Sequence, residues 1–190
     1  ITDCKHHNDW INLYTELVSW EINLDLTSNN DFDEFLISQK KELNNKFSEF
    51  VIHNYQNWIN KSKNSPLMSN DILEKKIFNQ IGDKPVFLIV IDNLRYDQWK
   101  MIESSISSDF RVDEEMLYCS ILPTATQYSR NAIFSGLMPL EMERLHKDWW
   151  KNDTDEGGKN MFEEQFLTAQ LQRLGKGHIK TSYNKITNID

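Results

Sequence analysis

The pattern of apolar positions divides the chain into two parts, and the first part has helical spacing. An early helix is predicted, with Asn8 or Asp9 as its cap, because apolar residues follow at positions i, i+3, i+4, i+7 and i+8. These residues are Trp10, Leu13, Tyr14, Leu17 and Val18. Asn29 and Asn30 break the pattern. A longer apolar stripe then runs from Phe32 to about residue 60, so two antiparallel helices are predicted.

A polar linker over residues 61–66 separates these helices from a shorter one. Ser69 is predicted to cap the short helix and Gly82 to end it, and its apolar face carries Leu73, Ile77 and Ile81. We therefore predict a helical linker domain over residues 1–84.

The second part begins at Pro85, where the pattern changes to that of strands. The run PVFLIVI, residues 85–91, is continuously β-branched or apolar, which is typical of a strand buried on both faces of a parallel sheet. Helical spacing returns over Tyr96–Ile106, and residues 110–119 alternate as a strand does.

Two further helices and a third strand complete the pattern. One helix is predicted over residues 126–134 with Gly136 at its end, and another over residues 162–174 with Gly175 at its end. His178–Ile186 is predicted to be a strand. This order predicts the opening of a doubly wound α/β domain over residues 85–190. Because sheets of this kind usually have about five or six strands, we expect the domain to continue beyond Asp190.

Composition and charge narrow the classes of function. The chain of 190 residues has 21 Lys and Arg against 29 Asp and Glu, a net charge of −8, which argues against broad binding to duplex nucleic acid. The longest apolar run, Val86–Ile91, is too short to span a membrane. No signal peptide is visible, and Cys4 and Cys119 form no CxxC motif, so we expect thiols in a reducing cytoplasm. The absence of an initiator Met predicts a position within a longer protein.

Asp92 is the first candidate for chemistry. It directly follows the strand PVFLIVI, and ligands of open α/β sheets bind at the carboxyl ends of strands. A carboxylate there is suited to hold a cation or to cap the next helix, and both interpretations stay open.

The second candidate region is LPTATQYSRNAIFSGLMP, residues 122–139. Thr124 and Thr126 precede or begin a predicted helix, where backbone N–H groups and the helix dipole favour a phosphate. An ordinary Thr cap fits the same position. Ser129 and Arg130 fall in the first turn, and Arg130 is suited to bind a phosphate oxygen or to lie at the surface.

These residues carry a resemblance to the alkaline phosphatase superfamily. IDNLRYDQW, followed about thirty residues later by LPTATQYSRNAIFSGLMP, resembles the start of the PglZ domain of that superfamily. The helical segment before it, with LVSWE, resembles the linker of PorX-type response regulators, which combine a receiver domain, a helical linker and a PglZ domain. The resemblance covers most of the chain.

The resemblance implies roles for several residues. The superfamily has a metal-ligating Asp after its first strand, which implies that Asp92 binds zinc. The pattern P-T-x-T-(x)9-G-L-x-P of its nucleotide phosphodiesterase branch implies Thr126 as nucleophile and metal ligand, with Thr124 as the fallback. Ser129 and Arg130 are then the implied phosphate-binding residues. The other ligands of the two-zinc site, including an Asp-His pair, have no counterpart here, so we expect an incomplete site and an inactive fragment.

Two functions follow from the resemblance. The first is a zinc-dependent phosphodiesterase that acts on nucleotides or oligonucleotides through Thr126, within the intact regulator. The second is a catalytically silent module for dimerisation and partner binding in the regulation of type IX secretion. The implied partners are a second copy of the chain, an upstream receiver domain, a sensor kinase and a sigma factor, in the cytoplasm and away from membranes.

Overall fold

The structure is a computed structural model that describes residues 4–25, 30–152 and 154–186. The α-helices of these residues are α1 (His7–Asp25), α2 (Asn30–Ile59), α3 (Tyr96–Ile106), α4 (Thr126–Ser135), α5 (Pro139–Leu145) and α6 (Glu163–Arg173). The chain forms two compact units, and each unit is discontinuous in sequence. Unit 1 consists of residues 1–66 and 91–117, and unit 2 of residues 67–90 and 118–190. The predicted domain boundary after Lys84 stays a prediction.

Helices α1 and α2 of unit 1 pack against each other in antiparallel directions, as predicted. The Trp10 ring lies 5.3 Å from that of Phe47, whereas Glu21 at the other end of α1 pairs with Lys40. Trp10, Leu17 and Leu43 form the buried core between the helices. Asp9 lies in the first turn of α1, where its carboxylate accepts hydrogen bonds from two preceding backbone amides. Asn29, one of the two predicted helix breakers, lies outside the described residues.

Helix α3, which has the predicted bounds, holds the segment that follows it through one carboxylate. Glu115 accepts hydrogen bonds from Tyr96 Oη at 2.8 Å and from Trp99 Nε1 at 2.9 Å. Lys100 Nζ lies 3.4 Å from the same carboxylate. These contacts fix Glu115 against one face of α3.

The prediction of one short α-helix after Ser69 is wrong, because two other kinds of helical turn occupy this segment. The chain makes a 3₁₀ turn over Ser69–Asp71 and a π-helical turn over Leu73–Ile77. Met68 precedes the first turn, and its N–H donates to Asp71 at 3.3 Å. Ser69 does not cap, because its hydroxyl accepts the Ile121 N–H at 3.2 Å from the other sequence segment of unit 2.

Unit 2 is built around helices α4 and α6. Their core residues Ile133 and Leu171 pack with Leu73 and Phe78, and all four are buried. Gly136 ends α4 in the left-handed conformation with φ 64°, as predicted. A Cβ atom placed on that glycine would lie 2.2 Å from Nε2 of Gln170, a fully buried residue of α6, so its bare backbone allows the two helices to approach.

Gly136→Ala is therefore expected to destabilise unit 2 by about 2–4 kcal/mol, through left-handed backbone strain and an overpacked contact. Hydrogen exchange of peptides from α4 and α6 in the intact protein measures the effect. Gly82→Ala is the matched control, because a Cβ there meets no atom within 4 Å. Equal exchange in the two variants would contradict the expected clash.

The predicted strands do not pair as strands within the part of the chain that the structure describes. One isolated parallel bridge joins Met68 to Cys119. In residues 85–91 the side chains are exposed, with Phe87 at 86% and Ile89 at 80%, rather than buried on both faces. A parallel strand acquires its hydrogen bonds and its burial from neighbouring strands. The doubly wound sheet therefore stays a prediction.

No helix in the described ranges has both the length and the apolar composition that a membrane span requires. Cys4 and Cys119 form no disulfide, and burial raises the pKa of the Cys119 thiol.

Candidate functional site at the start of helix α4

Thr126 is the first residue of α4, and its side chain does not cap the helix. The residue at the cap position is Ala125, which has no side-chain capping hydrogen bond. Both Thr124 and Thr126 are exposed. The N–H groups of Tyr128 and Ser129 donate to the Ala125 carbonyl at 2.9 and 3.0 Å. The Thr126 amide precedes these bonds, at the positive end of the helix dipole. The ordinary Thr-cap interpretation is therefore wrong.

Ser129 belongs to a chain of serine hydroxyls beneath this turn. Its Oγ lies 3.1 Å from Ser120 Oγ, which lies 3.4 Å from Ser69 Oγ. Ser69 in turn accepts the N–H of Ile121. These bonds tie the first turn of α4 to the beginnings of both sequence segments of unit 2. A phosphate-binding role for Ser129 stays a prediction.

Arg130, one turn along α4 from Thr126, forms an ion pair with Glu163. Its Nη2 lies 2.6 Å from Oε1 of Glu163 and 2.7 Å from Oε2. The side chain of Arg130 is 18% exposed and that of Glu163 is fully buried. Arg130 thus anchors α4 to the first residue of α6, and its role in phosphate binding stays a prediction.

Glu163 is the centre of a polar cluster that the sequence analysis missed. Besides Arg130, it accepts a hydrogen bond from the Tyr183 hydroxyl, and Asn160 Nδ2 lies 3.5 Å from its Oε1. Lys185 Nζ is 3.8 Å from its Oε2. Two cations thus surround one buried carboxylate, as a buried charge requires. Glu163 sits in the first turn of a predicted helix, where an acidic residue is so common that it indicates no particular role.

Tyr183 makes the stability of this cluster depend on pH in the alkaline range. The pKa of Tyr183 is raised from 10.0 to about 12, chiefly by burial and next by the hydrogen bond to Glu163. A raised pKa means that the contribution of the phenol to stability is complete below pH 10 and is lost as pH rises toward 12.

We expect an ultraviolet titration of the wild type, minus that of Tyr183→Phe, to show one phenol that ionises near pH 12. A difference curve centred near pH 10, the ordinary value, would contradict the buried hydrogen bond to Glu163.

Asp92 is exposed in a turn of unit 1, whereas Thr126 belongs to unit 2. The helix-cap interpretation of Asp92 is wrong, because α3 begins after Arg95, whose N–H donates to Gln98 Oε1 at 3.0 Å. Asn93, the next residue, adopts the left-handed conformation with φ 61°. The metal-ligand interpretation of Asp92 stays a prediction.

The described residues contain no group of three or more His, Cys, Asp and Glu side chains suited to hold a metal ion. His146 packs with aromatic rings instead. It stacks on Trp149 at 4.6 Å and meets Phe166 edge-on at 5.6 Å. Burial lowers the pKa of His146, and the charge of Arg173 lowers it further.

Comparison with known families finds two matches. Residues 1–59 match the family described as the PorX response regulator linker domain. Residues 72–189 match the BREX system PglZ alkaline phosphatase-like domain. A comparison with curated proteins gave no match.

Proposed function

Because the chain belongs to the family of PglZ alkaline phosphatase-like domains and has a PorX response regulator linker before it, we propose that the intact protein is a zinc-dependent phosphodiesterase with Thr126 as nucleophile. The observation that carries this proposal is the position of Thr126. It is an exposed hydroxyl residue at the first position of α4, and it does not serve as the cap of that helix.

The proposed reaction has two steps at phosphorus. In the first, Thr126 Oγ forms a bond to phosphorus while the bond to the leaving oxygen breaks, and the hydroxyl proton ends on the departing alcohol. In the second, water adds to phosphorus and the bond to Thr126 Oγ breaks, which restores the hydroxyl. Both steps place negative charge on the phosphoryl oxygens.

The start of α4 is suited to bear that charge. Its first amides lie at the positive end of the helix dipole, and donors fixed before the reaction stabilise charge that develops in it. Arg130 adds a cation one turn away, although Glu163 neutralises part of its charge. The net charge of −8 favours a short nucleotide or oligonucleotide over a long polyanion as the substrate.

Zinc enters the proposal through the family, with Asp92 and Thr126 as two oxygen ligands. The side chains that the structure describes do not by themselves form a metal centre, since they include no cluster of three or more candidate ligands. No step of the proposed reaction is therefore assigned to the metal.

A second candidate function is a signalling and partner-binding module that acts in type IX secretion. The match of residues 1–59 to the PorX linker favours it, together with apolar side chains that α2 leaves exposed, such as Ile37 at 66% and Ile52 at 76%. In this proposal the α1–α2 pair mediates dimerisation, while a receiver domain, a sensor kinase and a sigma factor are the partners.

Hydrolysis of bis-p-nitrophenyl phosphate by the intact protein distinguishes the two functions. The phosphodiesterase proposal predicts turnover that a zinc chelator removes and that added zinc restores. The same assay with p-nitrophenyl phosphate reports any preference for monoesters. Absence of turnover with either substrate, in protein loaded with zinc, would favour the partner-binding module.

A further inference from the structure

The segment that leads into α6 is hydrogen-bonded to the start of α4 through Asn160. Its side-chain Nδ2 lies 3.3 Å from the backbone carbonyl oxygen of Thr126 and 3.4 Å from Asn131 Oδ1. The neighbouring Lys159 carbonyl accepts a bond from Asn131 Nδ2 at 3.1 Å. Two adjacent residues of this segment thus contact α4 at its first residue, Thr126, and five residues later at Asn131.

Asn160 is itself held in place from both sides. Lys185 Nζ donates to the backbone carbonyl oxygen of Asn160 at 2.9 Å, and the side-chain Nδ2 of Asn160 lies 3.5 Å from Glu163 Oε1. An amide nitrogen has two hydrogens, and here three acceptors surround it, so the side chain cannot rotate without loss of a contact. The half-buried Asn160 therefore connects the buried Glu163 to the peptide of Thr126.

The hydrogen bond from Asn160 to the Thr126 carbonyl also restrains the main chain of Thr126 itself. It holds the peptide plane that follows Thr126, and the orientation of that plane sets the direction of the Cα–Cβ bond that carries Oγ. Displacement of a reacting group by about 1 Å reduces a rate on the order of 10²-fold. A contact on the main chain of the nucleophile is therefore able to act on catalysis without contact with the substrate.

We infer that Asn160 is a positioning residue for Thr126: its amide orients the nucleophile by donating to the Thr126 carbonyl, while Glu163 contacts that amide and Lys185 holds the main chain of Asn160. This inference rests on the proposed function of Thr126. It adds a residue 34 positions away in sequence that touches neither the substrate nor the reacting atoms.

Asn160→Ala in the intact, zinc-loaded protein tests the inference with bis-p-nitrophenyl phosphate as substrate. We expect kcat to fall by about 10- to 100-fold, because the displacement affects the transition state. KM should stay within about twofold, since a main-chain contact of the nucleophile adds no binding to the ground state. Asn79→Ala is the matched control, because Asn79 donates a similar amide bond to the Lys75 carbonyl at 3.4 Å on an exposed turn.

Asn160→Asp supplies a second test that a purely structural role would not affect. At neutral pH the introduced carboxylate has no hydrogen to donate, so its kcat should fall at least as far as that of Asn160→Ala. As pH falls, the protonated carboxyl regains a donor, and the activity relative to wild type should rise. The charged and titratable groups near it are Glu163 and Lys185, with Arg130 and Tyr183 behind Glu163.

The outcomes separate this inference from the proposed function. Suppose that the wild type hydrolyses the diester and that Thr126→Ala does not. If Asn160→Ala then has the same kcat as Asn79→Ala, the inference is overturned and the proposed function stands. A change in KM alone, or a flat pH ratio for Asn160→Asp, overturns it as well. If the wild type is inactive or Thr126→Ala keeps full activity, the proposed function fails and the inference fails with it.

Discussion

Replacement of Thr126 by alanine is expected to lower the phosphodiesterase kcat of the intact protein on the order of 10⁴- to 10⁶-fold, as loss of a nucleophile does in enzymes with a covalent intermediate. The side chain is exposed and caps no helix, so its truncation removes the hydroxyl and little stability. The measurement is the initial rate with bis-p-nitrophenyl phosphate, together with the melting temperature of each variant.

Two further variants make this result specific. Thr126→Ser keeps a hydroxyl at the start of α4 and should retain measurable turnover, whereas Thr124→Ala should stay near the wild-type rate. If Thr126→Ala remains active and Thr124→Ala does not, Thr124 is the nucleophile. If both remain active, water makes the attack and the covalent step is wrong.

Glu163→Ala is expected to cost unit 2 about 3–5 kcal/mol, because it removes one partner from a buried ion pair and leaves the other without its counter-charge. The Arg130 guanidinium then lies among buried groups, and the Tyr183 hydroxyl loses its acceptor. Hydrogen exchange of the peptides of α4 and α6 in the intact protein reports the loss locally.

The adjacent Glu164→Ala is the matched control, because it deletes the same side chain at an exposed position of the same helix turn. It should leave the exchange of α4 unchanged. Equal protection of α4 in the two variants would show that the ion pair contributes no net stability. The protection of α4 from exchange in Glu163→Gln should lie between that in Glu163→Ala and that in Glu164→Ala, since an amide oxygen still accepts the bond from Tyr183.

The helices were predictable because their signals are local. The apolar spacing predicted α1, α2, α3, α4 and α6, and the ends of α4 and α6 follow from single glycines. Gly136 and Gly175 both have positive φ, at 64° and 71°, which only glycine adopts at little cost. Helix α5 was missed, although Pro139 at its first position and Glu141 in its first turn were signals for it in the sequence.

The sheet and the polar cluster depend on residues that are distant in sequence. The composition of residues 85–91 indicates a strand, but pairing is a property of two segments, and no local pattern identifies the partner. The Arg130–Glu163 pair spans 33 positions and the Tyr183–Glu163 pair 20. One short motif is enough to propose a role for Thr126, whereas the contact of Asn160 with Thr126 becomes visible only once α6 is placed against α4.

The interleaved division of the chain has a consequence for synthesis on the ribosome. Unit 1 takes its last residues from 91–117, so it cannot close until residue 117 has left the exit tunnel. By then residues 67–90, the first portion of unit 2, have already emerged, but they cannot complete their packing until residues 118–190 are made. Domains usually fold one after another as they are made. The apolar run of residues 85–91 is therefore made before the residues that complete unit 2, and its side chains are exposed in the described structure as well.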